Sequence, residues 1–99
     1  MPKFQKITST EKEVEEYVFF CPGCKGIHMI RTKGDRPKWT WNESLDEPSC
    51  QPSLLVGPGT SYQCHSFIKA GRIEFLNDCW HGLKGQTVEI PEWNDEIWS

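Results

Sequence analysis

The sequence predicts a small, mainly β domain built on an antiparallel sheet, with a C-terminal tail docking on that sheet. Three observations carry this reading. Short segments rich in β-branched and aromatic residues recur along the chain, Gly and Pro clusters separate them, and no apolar stretch keeps a helical period. At 99 residues the default is one domain, residues 1–99. A domain of this size buries limited apolar surface, so a metal or disulfide staple is expected.

The elements follow in order. The N-terminal "STEKEVEE" has the look of a capping box, Thr10 with Glu13, but the apolar residues after it do not continue a helix. Val14–Phe20 is rich in β-formers and leads directly into Cys21. Ile27–Thr32 alternates, and Lys38–Asn42 places Trp39 and Trp41 on one face at period two. Ser53–Val56 is a short strand between Pro52 and Gly57. "CHSFI" and "RIEFL" flank "KAG" as a hairpin, Thr87–Ile90 ends before Pro91, and "PEWNDEIWS" allows one short turn that brings Trp93 and Trp98 back to the sheet.

Composition narrows the function classes. Hydrophobic residues at 36% and charged residues at 25% suit a soluble globular chain rather than a disordered one. No apolar run approaches the roughly 20 residues of a membrane span, and the N-terminus has no apolar signal core, so the expected location is the cytoplasm. A net charge of −3 argues against non-specific nucleic-acid binding, although Lys33, Arg36 and Lys38 cluster near two tryptophans. Five cysteines, an odd number, without a secretion signal disfavour a disulfide framework and read as metal ligands or redox groups.

Cys21 and Cys24, in "CPGC", have the spacing of a zinc knuckle, in which two thiolates from one tight turn reach a single tetrahedral ion. The strands predicted on both sides do not match the helix N-terminus that a redox pair requires. A second cluster, Cys64, His65, Cys79 and His81, lies at the open end of the hairpin and supplies the remaining ligands. Neighbouring strand residues face opposite ways, so hairpin register decides between Cys64 and His65. A two-residue loop, Ala70-Gly71, sets Ile68 opposite Ile73 and Cys64 on the side of Phe75, but it needs Ala70 at positive φ, at about 1 kcal/mol or more. A three-residue loop, Lys69-Ala70-Gly71, is unstrained and sets His65 opposite Phe75. The expected Zn2+ ligands are therefore Cys21, Cys24, His65 and His81, with Cys79 an alternative to His81 and Cys64 retained in case the strand starts irregularly.

"CPGC", "WTWN", "PSLLV", "CHSFIKAGRIEFL", "DCWH" and "GQTVEIPEW" together resemble a family of small phage and bacterial proteins catalogued as a domain of unknown function, some of them mislabelled ammonia monooxygenase. The resemblance covers about Tyr17 to Trp93. It implies a zinc-ribbon-like fold, and some bacterial relatives lie in operons with ubiquitin-like conjugation genes. Those relatives carry a cysteine shortly before a histidine where the hairpin starts, near Cys64 and at His65, and often lack "DCWH". "PSCQPS" departs from the family's Pro-Thr-x-x-Pro-Ser, which makes Cys50 an incidental thiol.

Three functions follow as expectations. The first is a binding module with structural zinc, an inhibitor or adaptor of a host or phage protein in the host cytoplasm, contacting its partner through Trp39, Trp41 and Trp93, with Trp98 a further candidate. Core packing is expected to claim two of those four. The second is a hydrolase, using either a zinc-bound water with Asp78 or Glu74 as base, or a Cys64, His81 and Asp78 trio. The third is a nucleic-acid-binding zinc domain. A nucleobase deaminase lacks its His-x-Glu with Pro-Cys-x-x-Cys signature, and no Gly-rich phosphate loop is present.

Overall fold

The computed structural model describes residues 2–7, 14–34 and 39–94. Among these there is no helix, and the order is β1 (Gln5–Ile7), β2 (Glu15–Cys21), β3 (Gly26–Lys33), β4 (Thr40–Trp41), β5 (Cys50–Val56), β6 (Cys64–Lys69), β7 (Arg72–Phe75) and β8 (Thr87–Glu89). The strands form two antiparallel sheets rather than one, β1-β2-β3 and β4-β5-β6-β7-β8. The predicted capping box, Arg36, Lys38 and Trp98 lie outside the described residues.

Period-two alternation sorts the side chains. On β3, His28 and Ile30 are buried while Ile27 and Met29 are exposed. On β6, Cys64, Ser66 and Ile68 are buried and face the core. The two sheets meet over Phe4, Phe19 and Ile30 from one side and Leu54, Ile68, Ile73 and Phe75 from the other, each buried. Each such side chain contributes about 1.5–3 kcal/mol relative to exposure. Phe4 stacks on Phe19 at 5.5 Å between ring centres, and Trp41 lies 4.5 Å from Tyr17, so the N-terminal segment is clamped between the sheets.

Two features of the larger sheet position the site. The first is a bulge in β5. Cys50 pairs with Ile68 and Leu54 with Ser66, so Gln51, Pro52 and Ser53 together oppose Phe67 alone. Extra residues on one strand bend it and re-aim its side chains. The second is the β6–β7 turn, where the structure corrects the predicted register. Ile68 pairs with Ile73 and Lys69 with Arg72, leaving the two-residue loop Ala70-Gly71, with φ of 49° and 78°. The strained turn wins because a one-residue slip would turn Cys64, Ser66 and Ile68 out of the core together. The turn is also anchored: Ala70 N–H donates to Ser49 Oγ at 2.7 Å and Gly71 N–H to the Pro48 carbonyl at 2.9 Å.

The C-terminal tail docks as expected as far as Asn94. Ile90 N–H donates to the Gly71 carbonyl, Trp93 N–H to the Pro2 carbonyl, and both side chains are buried.

Ala70→Gly should stabilise the protein. Relief of left-handed strain, about 1–2 kcal/mol, exceeds the added unfolded-chain entropy, about 0.4–1 kcal/mol. Ala70 is exposed, so no packing is lost. Urea denaturation should show a higher midpoint with unchanged slope.

Candidate functional site

The turn 22–25 joins β2 to β3 and presents Cys21 and Cys24. Lys25 N–H closes it on the Cys21 carbonyl at 2.8 Å, with Lys25 at φ 56°. Opposite stands Cys64, the first residue of β6, and beside it His28, inward on β3. One ligand atom from each of Cys21, Cys24, His28 and Cys64 lies within 4.8 Å of every other, and three of the four residues are buried. All five cysteines are free thiols. The four residues could hold a metal ion. The most telling observation is His28 Nε2, a buried nitrogen with no hydrogen-bond partner, which a metal would satisfy.

The surrounding N–H groups fit thiolates. Cys24 N–H donates to Cys21 Sγ at 3.4 Å, and Trp80 Nε1–H donates to Cys24 Sγ at 3.4 Å. His81 Nδ1 accepts from Leu83 N–H at 3.3 Å, which leaves the ring proton on Nε2, 3.5 Å from Cys64 Sγ. His81 thus donates to a sulfur, while His28 Nε2 has no partner. The bond from Cys64, helped by His28 and the Cys24 amide, pulls the Cys21 thiol down to about 4 against the effect of burial. Donating that bond, together with burial, pushes Cys64 up, and burial pushes Cys24 up. Gly23 is required here by packing: a Cβ there would fall 2.2 Å from the His81 ring.

His65 does not join the cluster. It is the next residue after Cys64 and so faces the opposite side of the sheet. There its Nε2 accepts from the Ser53 hydroxyl at 2.9 Å, and its Nδ1–H donates to Asp78 Oδ2 at 3.1 Å. Gln63 Nε2 donates to the same carboxylate oxygen at 3.0 Å. Ser53 reaches the imidazole from the β5 bulge, diagonal to the Leu55–His65 pair. Cys79 holds the His65 backbone on both sides, its sulfur accepting from His65 N–H at 3.2 Å and its thiol donating to the His65 carbonyl at 3.1 Å. A serine, a histidine and a carboxylate in this order and at these distances have the geometry of a nucleophile, its base and the group that orients the base.

Several expectations are corrected by this arrangement. The two-residue turn places His65 away from Cys21, Cys24 and His28, and Cys64, already kept in the expected set, stands with them. Cys64, Cys79 and His81 form a second close group that shares Cys64 with the first. The proposed thiol trio is not assembled, because Cys64 and His81 are buried on the inner face while Asp78 bonds His65 on the outer one. Trp93 is buried, and Trp39 and Trp41 are partly buried and pack against the core. Among the described residues the exposed aromatics are Tyr62 and Trp80, in edge contact at 5.6 Å. Cys50 is buried, and its thiol is pushed up to about 12, in keeping with an incidental role.

Residues 2–76 match the family described as "Bacterial ubiquitination-like system serine protease (BubE)". The chain belongs to the BubE family. The BubE match spans Cys21, Cys24, His28, Ser53, Cys64 and His65 and ends before Asp78. No curated protein and no solved structure matches the chain.

Two residues of these groups, His28 and Ser53, stand outside the predicted set. His28 is signalled by the alternation of Ile27–Thr32, which turns it inward on the knuckle's own hairpin. Ser53 lies in the "PSLLV" segment of the resemblance, but a strand serine carries no spacing signal until the bulge places it against His65.

Metal content of purified variants should separate the two histidine roles. His65→Ala should keep its metal, whereas His28→Ala and Cys64→Ser should lose it. His81→Phe, which removes the Nε2–H beside Cys64 Sγ, should bind metal about 10–100-fold more weakly. Elemental analysis with competitive chelator titration reads all four.

Proposed function

We propose that this chain is a serine hydrolase cleaving peptide or isopeptide bonds, with Ser53 as nucleophile, His65 as general base and Asp78 as the group that orients it. The Ser53–His65–Asp78 relay is the observation that carries the reading. The BubE description, which names a serine protease, supports it independently.

Ser53 Oγ attacks the scissile carbonyl carbon while His65 Nε2 takes its proton. The C–N bond then breaks, the proton passes from His65 to the leaving amine, and an acyl-Ser53 ester remains. Water attacks that ester, His65 accepts the water's proton and returns it to Ser53 Oγ, and the acid is released. Asp78 accepts the Nδ1–H bond throughout, fixing the tautomer and stabilising the imidazolium. The Cys79 clamp keeps the imidazole of His65 aimed from the strand.

The thiolate-rich set Cys21, Cys24, His28 and Cys64 suits Zn2+ in tetrahedral coordination, and four protein ligands leave no open position, which favours a structural zinc. The hydrolytic chemistry is assigned to the outer face.

A fluorophosphonate probe should label wild-type protein at Ser53, located by mass spectrometry of the peptide containing it. Ser53→Ala should abolish labelling and lower peptide hydrolysis by about 10⁴-fold or more, with zinc content unchanged. Labelling elsewhere, or activity surviving in Ser53→Ala, would contradict the assignment.

A further inference from the structure

A groove of about 700 Å³ opens beside the β5 bulge on the same outer face as Ser53. Trp41, Cys50, Pro52 and Phe67 are among the residues that line it. Ser53 and Lys69 both line it. This volume falls within the range of binding clefts that enclose several hundred ångström cubed of ligand. The apolar walls suit aliphatic or aromatic side chains, and the open form suits an extended chain rather than an enclosed small molecule.

Lys69 gives the groove its only formal charge among the described lining residues. Its Nζ lies 5.4 Å from the centre of the Phe67 ring. Across the hairpin it faces Arg72, whose charge is met by Glu89 at 3.0 Å. No carboxylate among the described residues lies within ion-pair distance of Lys69 itself. Lys69 and His65 stand on the same strand and face, four residues apart. At about 3.3 Å per residue the span is about 13 Å, the length of roughly four residues of extended substrate.

We infer that this groove is the substrate-binding cleft of the Ser53 site, and that Lys69 selects polypeptides carrying a carboxylate about four residues from the scissile bond. The inference rests on the hydrolase reading of Ser53. The carboxylate belongs to either an acidic side chain or the chain terminus. Apolar residues between it and the scissile bond lie along Phe67 and Trp41.

The test uses internally quenched peptides with leucine around the scissile bond. They carry Glu or Gln four residues away on either side, or end there in a free or an amidated terminus. The wild-type protein should cleave the carboxylate-bearing peptides about three- to tenfold better, through KM. Preference for Glu in amidated peptides identifies a side chain, and preference for the free terminus alone identifies the chain end. Lys69→Gln should erase the preference, and Lys69→Glu should shift it to peptides carrying Lys. Binding of the same peptides to Ser53→Ala, read by tryptophan fluorescence, follows the groove without catalysis, and Ser53→Ala/Lys69→Gln should lose the carboxylate preference in that assay. If Lys69→Gln keeps the wild-type preference in cleavage or binding, the inference falls while the hydrolase stands. If wild-type protein binds with a Lys69-dependent preference but cleaves nothing, the hydrolase reading falls and the groove stands.

Discussion

Opposite facing of consecutive residues at Cys64 and His65 ties the two halves of the site to one strand. Cys64 points inward to Cys21, Cys24 and His28, and His65 points outward to Ser53 and Asp78. The alternation admits no compromise, since a one-residue slip of β6 would take Cys64 from the cluster and His65 from Ser53 and Asp78 together. The turn at Ala70-Gly71 carries left-handed strain at Ala70, and the structure accepts it because this register satisfies both faces.

The same logic repeats at Asp78 and Cys79. Asp78 is exposed and meets His65, while Cys79 is buried and grips the His65 backbone from the inner side. His81 continues inward, packing its ring over Gly23 and directing Nε2 to Cys64. The loop after β7 therefore supplies one acidic group to the outer face and two soft or aromatic groups to the inner one. The cluster thereby ties the β2–β3 turn to the sheet that carries Ser53 and His65, and the β5 bulge brings Ser53 to meet His65. A small domain with limited apolar burial gains from such a tie, because a metal bound only by the folded chain adds its binding free energy to folding.

The strand pattern was legible because β-branched and aromatic runs broken by Gly and Pro leave few alternatives, and the docked tail was legible in its tryptophan and proline. The knuckle was legible because Cys-Pro-Gly-Cys is local in sequence. Cys64 against His65 was not, since the choice depends on a balance of about 1 kcal/mol in the turn against burial of Cys64, Ser66 and Ile68, which only the packed core reveals. His28 stood in a plainly alternating strand, but its ligand character depends on a nearby partner 36 residues further along the chain. Ser53 was hidden for a different reason. A relay drawn from a bulge, a strand and a loop has no fixed spacing, and chemistry of this kind is recognised by geometry rather than order in the chain.

We propose that the inner cluster holds Ser53, His65 and Asp78 in place through the neighbours Cys64 and His65. Zinc titration into chelator-stripped protein, followed by the rate of fluorophosphonate labelling at Ser53, tests it most directly. Labelling should be lost on stripping and return in proportion to zinc, reaching its full rate at about one equivalent per chain. Full-rate labelling of Ser53 in the stripped protein would contradict it, because the relay would then stand without the cluster.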